Sequence, residues 1–374
     1  MAGLLILADD ISGAAETAGA VVAATGARVE LRLTHSSGPA PEVLVVDIDS
    51  RRLGARDAAA ASSAALAEAG GRLVYKKVDS LLRGNIAAEL SGLPADTGVV
   101  AALAVPRAGR SVIGGVMLVG GVPLHDSDAW RHEPADPPHN IEAALGRPAA
   151  LIPLDVVRGD GLDAAVAAAL HAGLAAVCDS ETEGDLDLVA AALLRLDGPI
   201  VVVGTGGLAR SLAPLLGLAP GVPAFRPGAD RIVVVVGNRV PSAGEQVARL
   251  VQSGLRHLAA VPDAVPELGG GDIVVTLSAA HPWDAASIGR ALTAVADAVL
   301  AAEGRTDLVL TGGDTARTVL DALGVTRLYA EREVEAGAVL STTATGAAVV
   351  TRPGSFGGDD SLAAIVQHLR GSQQ

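Results

Sequence analysis

The segment Tyr75-Lys76-Lys77-Val78-Asp79-Ser80-Leu81-Leu82-Arg83-Gly84-Asn85 holds the only two lysines in the chain, although Lys and Arg together number 28. A lysine in an arginine background marks a place where a compact ammonium suits a single oxyanion better than a guanidinium fork. Leu73 to Val78 reads as a buried strand, so Lys77 and Asp79 share one face while Lys76 points to the other. Asp79 and Ser80 then stand at the strand's carboxyl end, and Arg83 opens the following turn. Lys77, Asp79, Ser80 and Arg83 thus gather at one strand exit as candidate functional groups. The structural alternative is a surface Lys pair beside a helix-capping Asp or Ser.

Three other strand exits in the first half carry acids, arginines or both. Asp9-Asp10-Ile11-Ser12-Gly13 sets two carboxylates at a helix start, more than one cap requires. Asp47-Ile48-Asp49-Ser50-Arg51-Arg52 and Pro106-Arg107-Ala108-Gly109-Arg110 add arginines. Aspartates accept hydroxyl protons and an arginine fork binds a carboxylate bidentately, a combination that suits a sugar acid. The exits of the second half differ, being rich in glycine and poor in acids: Gly237-Asn238-Arg239, Gly312-Gly313-Asp314-Thr315 and Gly354-Ser355-Phe356-Gly357. Glycine lets backbone N–H groups approach phosphate oxygens, and a helix start adds its positive end. Each loop alone is equally explained by steric needs at a strand-to-helix turn. Neither a Walker motif nor an opening Gly-x-Gly-x-x-Gly is present, which demotes ordinary P-loop and dinucleotide sites.

The elements that must position these groups alternate strand and helix. Leu4–Ala8, Val43–Asp47, Leu73–Val78, Val99–Val105, Ala175–Cys178 and Ile200–Val203 are short apolar runs, separated by Ala-rich helical stretches such as Ala14–Thr25 and Ala55–Ala69. That pattern predicts a parallel sheet covered on both faces. Residues 217–230 concentrate Pro and Gly without periodicity, so the expected organisation is an N-terminal domain over 1–216, a linker over 217–230 and a C-terminal domain over 231–374. The predicted class is α/β, two domains, each a largely parallel sheet covered by helices. A length of 374 residues agrees with two cores. Aromatics make up only 2% of the chain, so those cores must be aliphatic. Leu124 to Asn140 is the longest irregular stretch of the first domain and is read as a functional loop.

A net charge of −14 argues against a nucleic-acid partner and against an anionic membrane surface. Cys178 is the single cysteine, which rules out a disulfide framework. The amino terminus lacks signal-peptide features and no apolar run is long enough to span a bilayer, so a cytoplasmic protein is expected. A homo-oligomer is left open.

Together these segments resemble the four-carbon acid sugar kinases, the family of D-threonate, D-erythronate and 3-oxo-tetronate kinases. Asp9-Asp10-Ile11-Ser12-Gly13-Ala14 is similar to that family's Asp-Asp-Leu-Thr-Gly-Ala opening. Lys76 to Asn85 is similar to its Lys-Lys-Ile-Asp-Ser-Thr-Leu-Arg-Gly-Asn core. Pro106–Arg110, Gly121–Leu124, Gly312–Ala316 and Gly354–Gly357 look like further family elements. The resemblance implies a sugar-acid-binding N-terminal domain, a nucleotide-binding C-terminal domain and a cleft between them. The sequence departs from the family at Gly237-Asn238-Arg239-Val240, where Gly-Ser-x-Ser is usual, at Arg352, where Lys is frequent, and over Ser127 to Glu133.

The expected activity is transfer of the γ-phosphoryl group of ATP, with Mg²⁺, to a hydroxyl of a small sugar acid. Asp79 is the first choice for the catalytic carboxylate and Asp10 the second. Asp9, Asp10, Ser50, Arg51, Lys77, Asp79, Ser80, Arg83, Gly109 and Arg110 are expected to bind the acid. Gly237, Asn238, Gly312, Gly313, Asp314, Thr315, Gly354, Phe356 and Gly357 are expected to bind the nucleotide, and the metal ligands are unassigned. Two other readings stand beside this one: an NAD-dependent hydroxy-acid dehydrogenase and a non-catalytic sugar-acid sensor.

Overall fold

The computed structural model describes residues 3–33, 41–94, 96–131, 133, 135–237, 241–354 and 357–371. The chain divides into two compact units, one of residues 1–29 and 37–220, the other of 30–36 and 221–374. Residues 30–36 thus belong with the C-terminal unit, an excursion that a boundary read along the chain does not contain.

In the N-terminal unit the strands β1 (Leu4–Ala8), β3 (Val43–Asp47), β4 (Leu73–Lys77), β5 (Gly98–Ala102), β9 (Ala149–Ile152), β10 (Ala175–Cys178) and β11 (Ile200–Gly204) form one sheet. Their order is β3-β1-β4-β11-β5-β10-β9, and every pairing is parallel. All five residues of β1 are buried, which explains a run that is apolar throughout rather than alternating, and all five of β4 are buried as well, its two lysines included. The helices α1 (Ile11–Thr25), α7 (Glu183–Leu193) and α8 (Gly206–Leu212) pack together. So do α2 (Ala55–Leu66), α3 (Ile86–Ser91) and α4 (Ile141–Leu145). Leu5, Leu7, Val74 and Val78 join Ile86 and Leu90 in one aliphatic cluster, on the α3 side of the sheet. A small antiparallel meander, β6 (Arg110–Ile113), β7 (Val116–Val119) and β8 (Val122–Pro123), follows the β5 exit.

β1 sends its chain into α1 and the adjacent β4 sends its chain into α3, in the other helix group. Neighbouring strands that diverge in this way open a crevice at their carboxyl ends, the position where doubly wound sheets hold ligands.

The C-terminal unit has a parallel run of strands of its own. β12 (Arg231–Val236), β13 (Arg256–Ala260), β14 (Ile273–Leu277), β15 (Thr306–Thr311) and β18 (Ala348–Arg352) run parallel in the order β13-β14-β12-β15-β18. An antiparallel ribbon of β17 (Ala338–Thr342) and β16 (Arg327–Glu335) extends it. The order then continues to β2 (Val29–Arg32), where Leu33 N–H donates to the Thr326 carbonyl at 3.0 Å and Arg32 pairs with Glu30 at 2.7 Å. The helix α9 (Pro241–Gln252) packs on α12 (Ser361–Leu369), and α10 (Ala285–Ala301) on α11 (Gly313–Ala322). No described helix is long and apolar enough to cross a membrane.

Candidate active site

At the β1 exit Asp10 is the N-cap of α1, its Oδ1 accepting from Gly13 N–H at 2.8 Å. The helix therefore starts at Ile11, three residues before the Ala14 start expected from the apolar pattern. Capping does not exhaust the acid pair. Arg51, from the β3 exit, donates through Nε to Asp9 Oδ2 at 2.7 Å and through Nη1 to Asp10 Oδ2 at 2.8 Å. Its remaining nitrogen lies 3.7 Å from Asp79 Oδ1. Three strand exits are thereby joined by one guanidinium.

Asp79 is held more firmly still. Arg83 grips it bidentately, Nε to Oδ2 at 2.8 Å and Nη2 to Oδ1 at 2.7 Å, and Leu81 N–H adds a third donor at 2.9 Å. Burial would raise the Asp79 pKa, but the Arg83 hydrogen bonds and charge, with Arg51 and Lys77, outweigh it and hold the carboxyl well below the usual range. Asp10 is shifted the other way. Burial raises its pKa, and the opposing charge of Arg51 does not compensate because Asp9 lies alongside. Of the two neighbours, Asp9 is 3% exposed while Asp10 is half-buried and reachable. The turn that carries Asp79 is itself strained: buried Leu82 sits at φ 61°, a left-handed backbone for a bulky side chain, with its N–H on the Asp79 carbonyl at 2.9 Å.

The two lysines are buried, at 2% and 3% exposure, so they are not a surface pair. They face opposite sides of β4, as strand alternation requires. Lys77 reaches Glu16 of α1 at 3.2 Å. Burial would lower its pKa, but Glu16, Asp9, Asp10 and Asp79 reverse the shift and keep the ammonium charged. Lys76 meets Glu89 of α3 at 2.8 Å, both side chains being at most 2% exposed. Ser50 donates its hydroxyl to the same Glu89 and is fully buried, which corrects its expected contact with substrate: it anchors the β3 exit under Arg51. Asn85 completes that anchor, its Nδ2 donating to Ser50 O at 2.7 Å and Leu53 O at 2.8 Å. Glu16, Glu89 and Glu133, which lies 3.7 Å from Arg83, had no motif to announce them.

Arg110 differs from the other two arginines. It donates to Ser80 Oγ, yet no described carboxylate lies within ion-pair distance, and its buried Nε has no partner. Burial lowers its pKa, an effect that Asp79 offsets only in part. Gly109 is exposed, has φ 65° and ends the turn that presents Arg110. The loop after β8 reaches this region too, Trp130 Nε1 donating to Leu81 O at 2.7 Å.

Gly84 lies within the same knot, at φ 92°, and a Cβ there would stand 2.9 Å from Asp9 Oδ2. Gly84→Ala should combine backbone strain with displacement of Asp9 from Arg51. We expect a loss of about 1–2 kcal/mol in urea denaturation, and unchanged stability would show that the turn relaxes freely.

In the C-terminal unit, Gly237 and the 312–315 loop meet although 75 or more residues separate them in the chain. A Cβ on Gly237 would collide with Thr315 Oγ1. β12 leads into α9 and the adjacent β15 into α11, in the other helix group, so this meeting point is also a crevice between diverging strands. Gly312, at φ 93°, is the N-cap of α11, while Gly313 and Asp314 are its first helical residues. Positive φ is thus required at Gly312 rather than Gly313. Arg352 is buried, donates to Gln246 Oε1 at 2.6 Å and Ser361 Oγ at 2.9 Å, and has no described carboxylate partner. Gln246 in turn donates to the carbonyls of Gly357 and Gly358 at 3.1 and 3.0 Å, which ties down the end of the Gly354–Gly357 loop. Asn238 and Phe356 lie outside the described residues.

A family described as "Sugar-binding N-terminal domain" matches residues 4–212, and one described as "Nucleotide-binding C-terminal domain" matches residues 270–362. The D-threonate kinase of Cupriavidus necator is 37% identical, over 96% of each chain. The chain belongs to the four-carbon acid sugar kinase family. Within that family the 3-oxo-tetronate kinase of Methylobacterium radiotolerans is 31% identical, over 95% of this chain and 96% of its own. A solved structure titled as a putative tRNA synthase from Salmonella typhimurium LT2 covers all of both chains with a TM-score of 0.80 at 22% identity, a likeness of fold.

Proposed function

We propose that this kinase-family chain transfers the γ-phosphoryl group of ATP to a hydroxyl of a small, four-carbon-class sugar acid. The observation that carries the acceptor half is the unequal state of the three arginines. Arg51 and Arg83 are already engaged by Asp9, Asp10 and Asp79, whereas Arg110 faces the same cluster with no carboxylate of its own. A substrate carboxylate supplies the missing partner. Asp10, accessible and with a raised pKa, then accepts the proton of the attacking hydroxyl, while Asp79 fixes Arg83 and Lys77 offsets negative charge. Phosphoryl transfer draws mainly on such positioning and charge neutralisation. The names of the curated relatives support this substrate class.

For the donor, the crevice at Gly237 and Gly312, the N-terminus of the ten-residue α11 and the unpaired cation of Arg352 fit a polyphosphate. Among the described residues no group of three or more His, Cys, Asp or Glu forms a metal cage. Mg²⁺ would accompany the ATP phosphates, with Asp314 in the first turn of α11 as a candidate carboxylate.

The test is a coupled ADP-release screen over C4 to C6 sugar acids with ATP and Mg²⁺. Turnover on a C4 acid is expected. Its absence together with NAD reduction would favour the dehydrogenase reading, and saturable acid binding with no turnover would favour the sensor. Arg110→Gln should raise KM for the acid about 10- to 100-fold, the range of a lost charge-assisted hydrogen bond of about 1.5–3 kcal/mol. It should leave the poor activity on the matching neutral polyol unchanged, and an equal loss on both would remove Arg110 from carboxylate recognition.

A further inference from the structure

The chain contains two Trp, two Tyr and two Phe in 374 residues, and its cores are built from aliphatic side chains. Tyr75 and Phe225 are buried in those cores. Trp283 is not: it is half-buried on the loop between β14 and α10. Core packing does not explain an indole at that place.

Its position within the C-terminal unit is defined by strand register. Val236, the last residue of β12, pairs with Thr276 of β14 on one side and with Thr311 of β15 on the other. The loop carrying Trp283 therefore leaves the sheet beside Gly237, at the same carboxyl edge as the 312–315 loop. The indole is also fixed before any ligand arrives. Its Nε1 donates to the Ser278 carbonyl at 2.8 Å, across its own loop. The His281 ring stands against it at 4.7 Å and 68°, and Asp284 caps α10 through Ser287 N–H at 2.7 Å, which holds the far end of the loop. With its polar edge satisfied internally, the indole offers only an apolar π-surface, on a loop that leaves the sheet at the same carboxyl edge as the proposed phosphate crevice. Rigid aromatic surfaces of this kind bind nucleobases by stacking, tolerant of base identity because every base has a π-face.

We infer that Trp283, braced by His281, is the stacking platform for the base of the nucleotide. This inference rests on the nucleotide reading of the C-terminal unit, and the experiment separates the two. Binding of ATP-Mg²⁺ and of base-free tripolyphosphate-Mg²⁺ is measured by calorimetry on full-length wild type, Trp283→Ala and Trp283→Phe. Trp283→Ala should raise the Kd for ATP about tenfold while the Kd for tripolyphosphate stays within about twofold, and Trp283→Phe should retain most of the ATP affinity. Unchanged tripolyphosphate binding also shows that the variant is folded. An ATP-to-tripolyphosphate affinity ratio unaltered by Trp283→Ala would overturn the platform and leave the nucleotide reading standing. Failure of wild type to bind ATP at all would overturn both.

Discussion

Lys76→Met should destabilise the protein by about 3–5 kcal/mol, and adding Glu89→Leu should restore most of the loss. The Lys76–Glu89 pair is sealed between β4 and α3 with both side chains at most 2% exposed. Removing one member leaves the other charge buried without a partner, which is strongly destabilising, whereas replacing both by apolar groups of similar size is often near neutral. Guanidinium denaturation with an unchanged m-value measures both effects. A single-variant loss below about 1 kcal/mol would mean that water reaches the remaining carboxylate. The double variant has a second consequence. Ser50 loses its acceptor on Glu89, so the β3 exit and Arg51 should loosen, and sugar-acid KM should stay elevated even where stability has recovered. Recovery of both would make the pair structural alone.

This pair also marks how far the sequence speaks for itself. The two-lysine segment, the acid pair at Asp9 and Asp10 and the alternation of strands and helices are local patterns, and a parallel sheet turns each into a strand-exit group. Strand parity separates Lys76 from Lys77, as their partners on α3 and α1 show. The partners of those lysines could not be read in the same way. Glu16 and Glu89 lie in helices, where an acid on its own is indistinguishable from a solvated face until the packing against β4 is known. Ser50 is expected among the acid-binding residues, yet its side chain turns inward to Glu89. The ribbon of β16 and β17 is illegible in the sequence for another reason. In Arg327 to Glu335 only Leu328 and Ala330 are buried and the rest is mostly charged, so the segment shows no period-two hydrophobic contrast. The 30–36 excursion is a matter of topology, and no local pattern announces which unit a short strand will join.

The carboxylates are where geometry changes the order of the candidates, and Asp10→Asn should therefore lower kcat by about 10²- to 10⁴-fold, the usual contribution of a general base. Asparagine is as good an N-cap as aspartate, so α1 should keep its start and the substitution should report on charge rather than on folding. Asp79 is the weaker base. Its carboxylate is held well below the usual pKa range by the bidentate Arg83, so Asp79→Asn should act by freeing Arg83 and by raising KM as well as lowering kcat. The pH dependence distinguishes the two roles. A raised Asp10 pKa means that the base form is lost as pH falls through a value above the ordinary Asp range, so wild-type kcat/KM should decline on the acid side at that elevated value. Asp79, ionised to much lower pH, cannot produce that limb. The acid limb should vanish in Asp10→Asn and persist in Asp79→Asn. If it instead persists in Asp10→Asn and vanishes in Asp79→Asn, the proton passes to Asp79, and the bidentate grip of Arg83 must open during the reaction.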